Sequence, residues 1–126
     1  MSSLDTAYPS PGQVSADQVR TANARAIVEA AIAAAFAVPV QELRMATRGA
    51  ASIAFARQSA MYLAHVALGL SYSDVGRIFE RDRTTAAHAC RLVEERREDP
   101  WLDAMLDALE QALVPSRMTA SRALQP

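Results

Sequence analysis

The chain has 126 residues, a formal net charge of −1, 51% hydrophobic residues and a single cysteine, enough for one domain with a real core. One cysteine excludes an intrachain disulfide. Cys90, His65 and His88 have no zinc-like spacing, and no Gly-x-x-x-x-Gly-Lys-[Ser/Thr] stretch is present, so neither a metal nor a nucleotide in a P-loop is expected.

The near-neutral total conceals a segregation of charge. There is no lysine, so all 13 basic residues are arginine. Seven arginines face three acids from Leu43 to Leu92, and seven acids then face two arginines from Val93 to Leu113. A basic middle and an acidic end suit a nucleic-acid partner. Chance clustering on a solvated surface is the plainer alternative.

Met1 to Gly12 holds Pro9, Pro11, Gly12 and several serines, which reads as a disordered leader over residues 1–14. It lacks the basic start and apolar core of a signal peptide. Ala30 to Val38 is far shorter than the ~20 residues that cross a bilayer. A cytoplasmic protein without a membrane partner is expected. The first helix is predicted to begin after Ser15, with Gln18 completing a capping box, and to run to about Val38, where Pro39 stops it. Val19, Ala22 or Ala26, Ile27, Ala30, Ala34 and Val38 are its expected packing stripe.

Val40 to Met45 is predicted as a short helical turn, and Ala46 to Ile53 as a loop carrying Arg48 and Gly49. Ala54 to Leu68 is the central helix, with Ala60, Leu63, Ala64, Ala67 and Leu68 on one face and Gly69 as its stop. On these bounds Arg57 falls in the first turn. A cation is unfavourable there in the field of the helix dipole, so its partner should lie outside the helix.

The next stretch, Ser71 to Val93, reads as two short helices joined by Glu80-Arg81-Asp82. Ser71 or Ser73 caps the first, which has Val75, Ile78 and Phe79 on one face. Asp82 caps the second, which runs to about Arg97. Its small stripe is Ala86, Ala89, Cys90 and Val93, with Cys90 a buried, inert thiol. Thr84, Ala87, His88 and Arg91 lie on another face, which is polar and basic. Small inner residues allow close packing on the preceding helix, and the outer ones can reach base edges and phosphates. This is a helix-turn-helix, though a polar face is also what any solvated amphipathic helix shows. Asp99-Pro100 then starts an acidic last helix with Leu102, Met105, Leu106, Leu109 and Leu113 as its stripe. It should pack away from any DNA, and a loose tail is expected over 114–126.

Several rare combinations recur in register across about half the chain. These are Ala56-Arg-Gln-Ser-Ala-Met-Tyr-Leu-Ala64, Gly69-Leu-Ser71, Val75-Gly-Arg-Ile-Phe79 and Arg81-Asp-Arg-Thr-Thr-Ala-Ala-His-Ala-Cys-Arg91. They resemble the C-terminal DNA-binding domain of the bacterial replication initiator DnaA. The resemblance implies an all-α bundle of five to six helices over residues 15–113, similar to the DnaA C-terminal and Trp-repressor-like fold. It implies sequence-specific binding of double-stranded DNA that regulates replication initiation or transcription. By position it assigns contacts to Arg44 and Arg48 near the family's basic loop, to Arg57 in the minor groove with Gln58 beside it, and to Arg81, Asp82, Arg83, Thr84, Thr85, His88 and Arg91 on the recognition helix. The first helix would correspond to the family's link to its ATPase module.

Four departures bear on this. The loop is diluted to Ala-Thr-Arg-Gly-Ala-Ala-Ser, which predicts fewer phosphate contacts. Arg83 stands where the family usually has histidine, and its guanidinium can grip guanine O6 and N7, so the base preference should shift. Glu80 replaces a glycine in a connection one residue shorter than the common form. Ala86 replaces a valine. No Ser-His-Asp, Cys-His or paired-carboxylate constellation is evident, so an enzyme is not expected. A reading of another class is a protein-interaction module, or a homodimer, formed through the first or last helix.

Overall fold

Six helices follow one another without a strand among residues 15–45 and 51–115, the residues that the computed structural model describes. The leader, the loop residue Arg48 and the tail from residue 116 lie outside them.

Helix α1 spans Ala16–Phe36. Its capping box is formed as expected. Ser15 Oγ accepts from the Gln18 amide at 3.1 Å, and the Ser15 amide donates to Gln18 Oε1 at 3.0 Å. The helix ends earlier than predicted, because Pro39 bars Val38 from helical geometry and Ala37 turns into the left-handed region at φ 55°. The packing face also differs from the expected stripe. Val28 and Ile32 are fully buried and Ile27 partly so, whereas Val19, Ala22, Ala26, Ala30 and Ala34 face solvent. Alanines spread around this helix give every face similar apolarity, so the large β-branched side chains decide which one goes inward.

Helix α2, Val40–Arg44, is the predicted short turn and buries Leu43. Helix α3, Ala51–Val66, starts three residues earlier than expected, because Ala51-Ser-Ile53 holds nothing that resists a helix. Arg57 therefore sits in the second turn, and the argument from the helix dipole does not apply to it. The predicted face of α3 is buried in full, from Ala60 through Leu68, and Gly69 closes the helix at φ 75°. This helix is the axis of the fold, and all five others pack around it or its direct neighbours.

Helix α4, Tyr72–Ile78, is capped by Ser71, and helix α5, Arg83–Arg96, by Asp82. Between them lie Phe79 to Asp82. A Cβ on Gly76 would stand 2.7 Å from the Arg81 carbonyl oxygen, and the Arg81 amide donates to the Gly76 carbonyl at 2.8 Å. Only a glycine lets the chain entering α5 lie so close on α4. The inner face of α5 is Ala86, Ala89, Cys90 and Val93, as read from the sequence. Burial pushes the Cys90 thiol up to about 11, as suits an inert thiol.

Helix α6, Pro100–Ala112, is capped by Asp99 and buries Leu102 and Leu106 against α3. Its acids gather on one cation. Arg97 Nε donates to Asp103 at 2.6 Å, and its other nitrogens reach Asp107, Glu110 and the Tyr62 hydroxyl. Burial works against the Arg97 charge, but these partners outweigh it and raise its pKa. Three acids of the acidic end are thus gathered on Arg97 at the C-terminal end of α5. At 1.5 Å per residue, that is roughly 20 Å from the start of the same helix.

Candidate nucleic-acid interface

The outward face of α5 is built by its cap and its small inner face. Asp82 accepts from the Thr85 amide at 2.7 Å, which fixes the first turn. That backbone bond, with a second from the Thr85 side chain, holds the Asp82 carboxyl below its usual range. With Ala86, Ala89 and Cys90 turned inward, Arg83, Thr84, Thr85, His88 and Arg91 are left exposed, and Arg81 and Asp82 stand exposed just before them.

Ordering the arginines by what they hold separates this face from the rest. Arg25 and Arg44 bind Glu29, Arg77 binds Asp74, Arg97 binds its three acids, and Arg96 lies over the Phe55 ring at 4.9 Å. Among the described residues, Arg81, Arg83, Arg91 and His88 have no such partner in the chain. Guanidinium groups that no described residue satisfies are available to an outside acceptor.

Two adjoining clefts border the face. A cleft of about 190 Å³ between α3 and α5 brings together Arg57, Gln58, Arg81, Thr85 and His88, five of the residues singled out from the sequence. A second, of about 260 Å³, shares Arg57, Met61 and Arg81 with it and extends past Arg44 and Glu29 towards α1. Arg83 and Thr84 line neither cleft. Arg91 lies further along α5, in a separate hollow with Tyr62, His65 and Tyr72.

Arg57 and Arg44 are less free than expected. Arg57 Nε donates to the Leu43 carbonyl at 3.1 Å and its Nη2 to the Glu42 carbonyl at 2.9 Å, capping the end of α2. Arg57 therefore does reach outside its own helix, to the last carbonyls of another. Arg44 places Nε and Nη2 on one oxygen of Glu29, each at 2.7 Å. Sequence reasoning missed Arg25, whose Nη1 bonds the Ile78 carbonyl and Glu80 at 3.2 Å, and Glu29 itself. A signal was present: Glu29 is the only charged residue between Ala26 and Gln41, and it lies four residues after Arg25.

Among the described residues no group of three or more His, Cys, Asp or Glu side chains is placed to hold a metal ion, and no helix is long and apolar enough to cross a membrane.

The geometry agrees with the comparisons. The chain is 30% identical to the chromosomal replication initiator protein DnaA of Lachnoclostridium phytofermentans over 105 residues, covering 82% of this chain and 23% of that protein. It is 34% identical to the same-named protein of Desulfotalea psychrophila over 79 residues (62% and 16%), and 45% identical to that of Ralstonia nicotianae over 65 residues (50% and 12%). It thus spans less than a quarter of the length of these relatives. The family model for the bacterial dnaA protein helix-turn-helix matches residues 25–93, which run from Arg25 on α1 to the last buried valine of α5. By its fold and this match, the chain belongs to the bacterial DnaA helix-turn-helix family, a family of DNA-binding domains.

Proposed function

We propose that the chain binds double-stranded DNA sequence-specifically, with α5 in the major groove, and so regulates replication initiation or transcription. The observation that carries this reading is that Arg81, just before α5, and Arg83, His88 and Arg91 upon it have no partner among the described residues, while the small inner face of α5 lets it seat closely on α4. Arg83 and the two threonines read base edges, while Arg81, His88 and Arg91 meet phosphates or groove edges. Arg57, held by α2, keeps its Nη1 hydrogens for the adjacent minor groove, with Gln58 beside it. Asp82 caps the helix, and its exposed carboxylate can also accept from a cytosine amino group.

Fluorescence anisotropy tests this with a labelled duplex carrying the initiator's box and a scrambled duplex, each at two salt concentrations. Salt-sensitive binding that weakens on Arg83→Ala, with altered base preference, supports the reading. Binding to neither duplex at low salt defeats it. The competing reading, a protein-interaction module, rests on Trp101, which is 71% exposed at the start of α6. In that case Trp101→Ala would abolish capture of a partner and leave duplex binding untouched.

A further inference from the structure

Glu29 is 1% exposed, in a helix whose other fully buried residues are Val28 and Ile32. A carboxylate there must be paired. Each of its oxygens serves a different guanidinium: Oε2 accepts from Arg25 Nε at 2.9 Å, and Oε1 accepts from Arg44 at 2.7 Å. Arg25 continues from Glu29 to the Ile78 carbonyl and Glu80, and its guanidinium lies 5.3 Å from the Phe79 ring centroid. One buried carboxylate therefore ties together α1, the end of α2 and the turn that leads into α5. Both arginines line the cleft that shares Arg57 and Arg81 with the recognition cleft. They stand at the margin of the face, yet their charges are matched by Glu29 and Glu80.

That arrangement has a consequence for selectivity. Phosphates attract any free guanidinium whatever the sequence, so spare arginines beside a reading head raise non-specific binding more than specific binding. We infer that Glu29 is a specificity-determining positioning residue, which withholds Arg25 and Arg44 from phosphate and braces the turn before α5. The inference rests on the duplex-binding reading above. Glu29 itself touches no DNA; it acts through the two arginines.

The test is Glu29→Gln, which keeps size and one carbonyl acceptor but removes the charge. The scrambled duplex should then bind roughly threefold to tenfold tighter at low salt, and the ratio of specific to scrambled affinity should fall. The log–log salt slope should steepen by about one for each arginine released. Adding Arg44→Ala to Glu29→Gln should take back about one unit of that slope. A purely structural role predicts the opposite, with both duplexes weakened together and the slope unchanged or shallower, and that result would overturn the inference.

A measurement on the wild type guards against a variant that does not fold. The Nε–H resonances of Arg25 and Arg44 should exchange slowly with water and stay in place when duplex is added, while those of Arg81 and Arg83 move. Fast exchange, or movement of all four, overturns the role of Glu29 while duplex binding stands. A wild type that binds neither duplex overturns both readings, so that titration is run first.

Discussion

Ser59 is fully buried in α3, and its hydroxyl finds no hydrogen-bond partner among the described residues. An unsatisfied buried hydroxyl is a cost that alanine removes without opening a large cavity, so Ser59→Ala should stabilise the fold by about 1 kcal/mol in a chemical melt. Glu80 is strained in another way. It sits at φ 57°, where glycine is at ease, and its carboxylate is 83% exposed beside Arg25. Glu80→Gly should relieve about 0.5–1 kcal/mol of backbone strain and lose only a surface ion pair. It also removes an acid from the edge of the proposed DNA face, so duplex affinity should rise with the melting temperature. Gly76→Ala should do the reverse. Its new Cβ meets backbone rather than a flexible side chain, and about 2–3 kcal/mol of stability should be lost, with duplex binding weakened as the α4–α5 junction opens.

Among the elements, the junction of α5 and α6 depends on Arg97, whose side chain is 13% exposed among Asp103, Asp107, Glu110 and Tyr62. Arg97→Ala should cost about 2–3 kcal/mol, read by denaturant unfolding, because three acids are left facing one another with no cation between them. The same junction sets a pH limit. The Tyr62 hydroxyl is pushed up to about 12, chiefly by burial, with Arg97 opposing and Glu94 adding. The folded state therefore holds this proton more tightly than the unfolded chain. The stability it lends is complete below pH 10 and is lost as pH climbs from 10 towards 12. A tyrosinate absorbance titration should show one group ionising well after an exposed tyrosine. The elements that were legible in the sequence carry their own local signals: Ser15 with Gln18, Ser71, Asp82 and Asp99-Pro100 each cap a helix three or fewer residues away. The inward face of α1 was not legible, since alanine at nine of its 21 positions weakens the periodic contrast.

For the molecule as a whole, the exposed polar face of α5 could be read because Thr84, His88 and Arg91 share a helix face by spacing alone. The state of Arg44 and Arg57 could not. Their acceptors, Glu29 and the carbonyls of Glu42 and Leu43, are brought to them only by the packing of α1 and α2 on α3. With those two arginines held, few free cations remain among the described residues to displace counterions. The log–log salt slope of duplex binding should be near −2, from Arg81 and Arg91, plus about one unit if Arg48 also engages a phosphate. A slope of −6 or steeper would mean that the held arginines are released on DNA. Trp101 is the sole tryptophan of the chain and lies 71% exposed at the start of α6, away from the buried core. Its emission already reports water in the native state, so melting of the core will scarcely shift its colour. Unfolding has to be followed by helical circular dichroism or by the tyrosines. The indole is then left as a quiet background reporter, and a blue shift on mixing would signal something settling on α6 itself.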